Sequence, residues 1–315
     1  MQSILVTGGA GFIGSHVCDK LLFEGFNVVC VDNFNKYYDP KIKNNNIRHN
    51  LKNKNYKCYK ADIINYKKLA KIFSKHSIDK IIHLAARAGV RPSIKNPFIY
   101  EETNVKGTLN LLELARINNV KKFVFGSSSS VYGTNKKKPF SEKDSLNNII
   151  SPYAATKKMG EELCRSYHNL YNLNITCLRF FTVYGPRGRP DMAPYKFTNL
   201  INNSVPIEMY GDGNSARDYT YISDIVEGII SANKKTSGFE IINLGDSNPV
   251  KLKKFISIIE KEVGKKAIIK QREMPKGDVP ITYADIKKAD KLLKYKPKIK
   301  IEEGIKRFVE WYKNG

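Results

Sequence analysis

The sequence predicts an α/β fold: a doubly wound parallel sheet followed by a smaller C-terminal α/β lobe. Three observations carry that expectation. Short apolar runs at residues 4–6, 26–31, 80–84 and 122–125 alternate with longer stretches at helical spacing, the order that builds a parallel sheet covered on both faces. A glycine-rich turn, TGGAGFIG at residues 7–14, joins the first run to the first helical stretch. The chain of 315 residues is long enough for one such domain and an added lobe.

The glycine turn organises the rest. Gly8 lets the chain turn tightly, Gly11 leaves room for a pyrophosphate, and Gly14 lets the helix lie close on the sheet. The helix N-terminus then offers free N–H groups to an anion. Gly25 suits the helix end, and the second strand ends in Asp32, eighteen residues after Gly14, where a carboxylate can hydrogen-bond ribose hydroxyls. It would repel a 2′-phosphate, so the expected cofactor is NAD rather than NADP. Phe12, Ile13 and Asn33 flank these positions as further cofactor contacts. This is the Rossmann arrangement, expected over residues 1–180, with a return near 219–246 and the substrate lobe over 181–315.

Residues 33–55 read as a polar loop with a surface helix, and a short third strand runs into Asp62 and Ile63, expected at the adenine edge. Asp62 also fits a plain helix N-cap. The fourth strand opens into Leu84, Ala85 and Ala86, small enough at the alanines for a cofactor to pass close by. RAGVRPSIKNP, residues 87–97, precedes a long helix over about residues 100–118. The fifth strand leads into four serines, Ser127 to Ser130, at the sheet edge where such folds place their ligands.

YAATK begins twenty-five residues after Ser128 and places Tyr153 and Lys157 four apart, on one helix face. An ammonium beside a phenol favours the phenolate, which can take a proton from an alcohol as hydride leaves the carbon. Ser128 is the candidate to orient that oxygen. A surface tyrosine–lysine pair would show the same spacing; the glycine turn and serine strand end favour chemistry.

The glycine turn, HLAA at residues 83–86, SSSSVYG at 127–133 and YAATK together resemble the extended short-chain dehydrogenase/reductases that act on nucleotide sugars. The resemblance covers nearly the whole chain. It implies bound NAD, Tyr153 as base, Lys157 as partner of tyrosine and cofactor, Ser128 as third member, and a homodimer through two long helices. Dehydratases and glucuronate decarboxylases of this group carry an acid just before VYG, where Ser129 and Ser130 stand, so epimerisation is expected.

LRFFTVYGPRGRPDMAP, residues 178–194, resembles UDP-glucuronate 4-epimerases, as does the segment holding Arg91. Thr182 and Arg189 suit a sugar carboxylate, as hydroxyl donor and guanidinium. The resemblance also assigns Arg217 to the diphosphate and Asp278 to the uridine ribose. Pro275 stands where UDP-glucose epimerases carry an arginine, and Thr282 leaves an N-acetyl group at C2 open. The expectation is therefore reversible C4 epimerisation of UDP-glucuronate, with a neutral UDP-hexose or UDP-N-acetylglucosamine as the alternative.

The net charge of +24 raises a remote alternative, a basic nucleic-acid-binding protein on the same fold. The lysines are spread along the chain without aromatic interleaving, so no nucleic-acid partner is expected. The five cysteines are scattered and read as reduced core residues, not metal ligands. No apolar run reaches membrane-spanning length and the first strand starts at once, so no membrane partner and a cytoplasmic location are expected.

Overall fold

A computed structural model describes residues 1–273 and 279–314. Thirteen strands are formed among the described residues. In chain order they are β1 (Ser3–Thr7), β2 (Asn27–Asp32), β3 (Tyr56–Lys60), β4 (Lys80–His83), β5 (Lys122–Ser128), β6 (Asn174–Phe180) and β7 (Thr182–Tyr184). Then come β8 (Ile207–Tyr210), β9 (Ala216–Tyr221), β10 (Phe239–Leu244), β11 (Pro249–Lys251), β12 (Ile269–Arg272) and β13 (Ile281–Thr282).

Seven of them form one sheet in the order β10-β6-β5-β4-β1-β2-β3, parallel throughout. Buried strands with both faces covered need apolar residues on both sides. Ile4 and Val6 of β1 accordingly enter one core while Leu5 enters the other. Ile82 and Val124 join the first core; Ile81, Phe123 and Phe125 join the second. Helices Phe12–Phe23 and Ile222–Lys235 cover one face through Val17, Leu21, Ile225 and Ile229. Helices Tyr66–Lys75, Gly107–Ile117 and Pro152–Tyr171 cover the other through Leu69, Leu111 and Cys164.

The chain crosses from one side of β1 to the other between β3 and β4. At that reversal the connections leaving the paired ends of β1 and β4 run to opposite faces of the sheet and leave a crevice at its carboxyl edge. A smaller sheet holds β7, β9, β11 and β13, and β8 pairs with β12 beside it. The return to the large sheet is made by helix Ile222–Lys235 and β10, whereas residues 219–221 still pair in the small sheet.

Three local expectations change. The long helix starts at Phe98 rather than near 100, and it is α-helical only to Glu101; Glu102–Lys106 is a π-helical turn before Gly107–Ile117. β5 runs three residues beyond the expected Phe125, through the first two serines, so that Ser128 is itself the last residue of the strand. The helix expected on the surface after Asp32, Pro40–Ile47, turns Lys43, Asn46 and Ile47 inward.

Candidate active site

The glycine turn is built by close packing. Gly8 has φ of +68°, and a Cβ there would lie 2.8 Å from the amide nitrogen of Ala85. A Cβ on Gly14 would meet the carbonyl oxygen of Gly8 at 2.1 Å. Helix Phe12–Phe23 therefore starts against the turn, its N-cap Gly11 carrying no side chain to fill the space before it. This cradle, with Asp32 at the end of β2, fits the pyrophosphate and ribose of a dinucleotide.

A cleft of about 440 Å³ opens from the cradle along the carboxyl edge of the sheet. Gly8, Gly11, Phe12, Ile13, Gly14 and Asp32 line one end of it. Asn33, Asp62, Ile63 and the run Leu84–Ala86 line it as well. Ser128, Tyr153 and Lys157 also line it, as do Ser129, Ser130, Thr182 and Arg189. Among the described lining residues the carboxylates are Asp32, at the end of β2, and Asp62, just after β3.

Tyr153 and Lys157 stand on helix Pro152–Tyr171, which Ser151 caps by accepting the Ala154 N–H and which has proline at its first position. Gly160 lets this helix sit low on the sheet, since a Cβ there would be 2.4 Å from the Phe125 ring. Lys157 thereby reaches across β5 and donates to the Gly126 carbonyl at 2.6 Å. Burial pushes its ammonium down to about 8. Burial raises the Tyr153 phenol, while a hydrogen bond with Ser128 and the charge of Arg189 pull it back. Ser93 fixes the start of the helix by accepting the Tyr153 N–H at 3.1 Å.

A buried polar chain runs beneath the dyad. Thr108 spends its proton on the Asn104 carbonyl at 2.6 Å, so His83 Nε2, 3.0 Å away, must donate to it. His83 Nδ1 then accepts from Thr7, 2.7 Å away, and Thr7 accepts the Ala85 N–H. Burial and the nearby Lys157 hold His83 down to about 3, neutral as this chain requires. Asn104, in the π-helical turn, accepts from the Arg87 N–H and donates to the Arg87 carbonyl and to Thr156. It ties the loop after β4 to the helix of Tyr153.

Other expected residues are elsewhere. Arg91 stacks over the Tyr210 ring at 4.8 Å and Arg217 donates to the carbonyls of Ala216 and Pro280; neither lines the cleft. Asp278, with Pro275, lies outside the described residues. Arg189 lines the cleft, but its fork is engaged by Asp191 at 2.9 and 2.6 Å, with the Tyr37 ring below it. Lys43 was not among the sequence-derived candidates. It is buried and pairs with Asp32 at 3.2 Å, and nothing in a helix expected on the surface marked it out. Tyr37 and Tyr38 also line the cleft from that segment.

No described helix is long and apolar enough to cross a membrane, and no described group of histidine, cysteine or acidic residues has the makings of a metal site.

A profile of the GDP-mannose 4,6-dehydratase family matches residues 5–308. The chain is 50% identical to a UDP-glucuronate 4-epimerase of Thermodesulfobacterium geofontis, over 99% of this chain and 97% of that one. The crystal structure of Bacillus cereus UDP-glucuronic acid 4-epimerase with UDP-glucuronic acid and NAD superposes with a TM-score of 0.93 at 37% identity, covering 99% of each chain. A Thermotoga maritima UDP-glucose 4-epimerase with UDP-glucose gives 0.91 at 34% identity, again over 99% of each. With the glycine cradle, the serine strand end and the tyrosine–lysine helix on one cleft, the chain belongs to the GDP-mannose 4,6-dehydratase family of extended short-chain dehydrogenase/reductases.

Proposed function

We propose that this chain is an NAD-dependent enzyme that interconverts UDP-glucuronate and UDP-galacturonate by epimerisation at C4. The carrying observation is the sugar-facing end of the cleft, where Ser129, Ser130, Thr182 and Arg189 offer hydroxyls and a guanidinium, and where Asp191, bound to that guanidinium, does not itself line the cleft. A dehydratase needs an acid there to expel the C6 hydroxyl; a uronate carboxylate is served by donors.

Bound NAD would lie against the glycine cradle with its ribose at Asp32, supplying at its nicotinamide a reversible hydride acceptor for sugar C4. Tyr153, as phenolate, removes the 4-hydroxyl proton and returns it to the 4-keto sugar after the sugar has turned over. Lys157 holds the phenolate by its charge, and Ser128 orients the reacting oxygen. A C4 ketone makes the uronate a β-keto acid prone to lose CO2, so a firm grip on the carboxylate by Thr182 and the serines protects the intermediate. Arg189 joins that grip by exchanging Asp191 for the sugar carboxylate.

The family resemblance assigns Arg217 to the diphosphate, Asp278 to the uridine ribose and Arg91 to the substrate; to act so, Arg217 must leave the Ala216 and Pro280 carbonyls and Arg91 the Tyr210 ring. Residues 1–180, with the return through β10, form the cofactor domain, and the remainder forms the sugar-nucleotide lobe. A homodimer forms through helices Gly107–Ile117 and Pro152–Tyr171, which leave Leu109, Ile117, Met159, Leu170 and Tyr171 exposed. A reducing, cytoplasmic setting suits five free cysteines and a nucleotide-sugar substrate, and the dispersed lysines speak against a nucleic-acid partner.

The test is incubation of purified protein with UDP-glucuronate, first without and then with added NAD, followed by chromatography. UDP-galacturonate is expected in both. No product under either condition, with UDP-glucose or UDP-N-acetylglucosamine epimerised instead, would overturn the uronate assignment.

A further inference from the structure

Directly beneath the dyad lies an ion pair that none of the steps above uses. Glu161 is fully buried and Arg179 is 2% exposed. The guanidinium meets the carboxylate through two bonds of 2.8 Å, and Ser127 Oγ donates to the same carboxylate at 2.6 Å. Ser127 and Arg179 are direct partners across β5 and β6, so Glu161 staples two adjacent strands from the helix above them. The next residue on β5 is Ser128. From Arg179 the chain of bonds continues through the Tyr132 hydroxyl at 3.0 Å to Asn243 at 2.7 Å, where β10 rejoins the sheet.

Apolar residues often replace a buried ion pair without loss of stability, because both charges give up water. The position of this one is the informative fact. Glu161 is four residues after Lys157, on the same helix face. We infer that Glu161, held by Arg179, is a positioning residue for the reaction centre: it fixes the Ser127–Ser128 strand end against the helix of Tyr153 and keeps Lys157 a cation.

This inference rests on the roles proposed for Tyr153 and Lys157. Lys157 is faced by Tyr153, Glu161 and Cys164 on its own helix, by Cys177 on β6, by His83 on β4, and by the Phe125 ring and Gly126 carbonyl on β5. His83 is neutral, and burial pushes the Cys177 thiol far up, so it is neutral too. Beside the sulfur of Cys164, Glu161 is the carboxylate that offsets the burial of Lys157. The pair carries no net charge, but its negative end faces the lysine.

The test is the double variant Glu161→Gln/Arg179→Met, which removes both charges together and leaves an acceptor for Ser127. A fall in kcat of roughly tenfold to a hundredfold is expected, with KM for UDP-glucuronate nearly unchanged, as for misplacement of reacting groups. The alkaline limb of the rate profile should move to lower pH. The phenolate absorbance of Tyr153, isolated by subtracting the corresponding Tyr153→Phe protein, should titrate at higher pH. A folded double variant with unchanged kcat and an unmoved limb would overturn the inference. Should the double variant fail to fold, Ser127→Ala severs the strand from Glu161 and leaves the pair intact. Its kcat should fall severalfold at constant KM, and a wild-type kcat would equally overturn the inference. Full activity in Tyr153→Phe or Lys157→Met would instead sink the underlying catalytic assignment.

Discussion

The two ends of the cleft are built differently. At the adenosine end the contacts come from consecutive residues at the tips of β1, β2 and β4, held by backbone packing so tight that Gly14 has no room for a methyl group. At the sugar end they come from separate segments, Ser129 and Ser130, Thr182, and the loop of Arg189, whose fork is held by Asp191 two residues on. The first end is a rigid edge of the sheet; the second is assembled around it from a helical turn, a strand start and a loop. A rigid edge suits a cofactor that stays, and adjustable segments suit a sugar that must turn over between two hydride deliveries.

Substitutions should sort along that line. The largest effect is expected at the seam between the two ends: Tyr153→Phe should lower turnover of UDP-glucuronate by about a thousandfold, within the usual span of general acid–base catalysis, as read by product chromatography. At the rigid end, Gly14→Ala should cost about 1–3 kcal/mol of stability by overpacking and abolish retention of NAD, measured by thermal unfolding and by cofactor content after gel filtration. An unaltered cofactor content would show that the cradle tolerates more than its geometry suggests.

At the adjustable end, Arg189→Ala should reduce turnover of the uronate by about tenfold more than that of UDP-glucose, equivalent to about 1.4 kcal/mol. Equal losses on both substrates would mean that the guanidinium serves the Asp191 loop and not the sugar.

The smallest effects concern pH. Because Lys157 is held down to about 8, its charge is lost as pH rises through that value, and turnover should decline there. The folded protein then binds fewer protons than the unfolded chain between about 8 and the ordinary lysine value of 10.5, so Lys157 makes stability rise with pH across that window. Lys157→Met should abolish both the decline and the rise, as seen in rate profiles and in denaturant unfolding at several pH values.

The same contrast decides what could be read from the chain. The cofactor end was legible because a glycine turn, an acid after the second strand and an alanine pair each sit within a contiguous motif whose spacing is fixed by the sheet. The catalytic helix was legible because Tyr153 and Lys157 share one face. Lys43 was not, since its inward turn depends on how the helix Pro40–Ile47 docks over Asp32. Asn104 was hidden because a π-helical turn changes which face its side chain presents. The engagement of Arg189 by Asp191 was invisible because a run of charged loop residues does not say which will pair with which. Glu161 could have been found: it continues the periodicity of Tyr153 and Lys157 into a helix face that is otherwise apolar.

The three thiols near the glycine turn have a practical consequence. Cys30 and Cys58 are direct partners on β2 and β3, 3.7 Å apart at sulfur, and Cys18 reaches toward the same spot beneath Gly9. Cys18 and Cys30 are buried, whereas Cys58 is half-exposed on the outermost strand of the sheet. The chain thus carries its own reporter of breathing at that margin. Alkylation should mark Cys58 first, and the later marking of the buried Cys30 would time how often β3 lifts away from its neighbour. Strand β2 ends at Asp32, so a dinucleotide seated there should slow that clock, letting cofactor occupancy be followed by mass spectrometry without any added label.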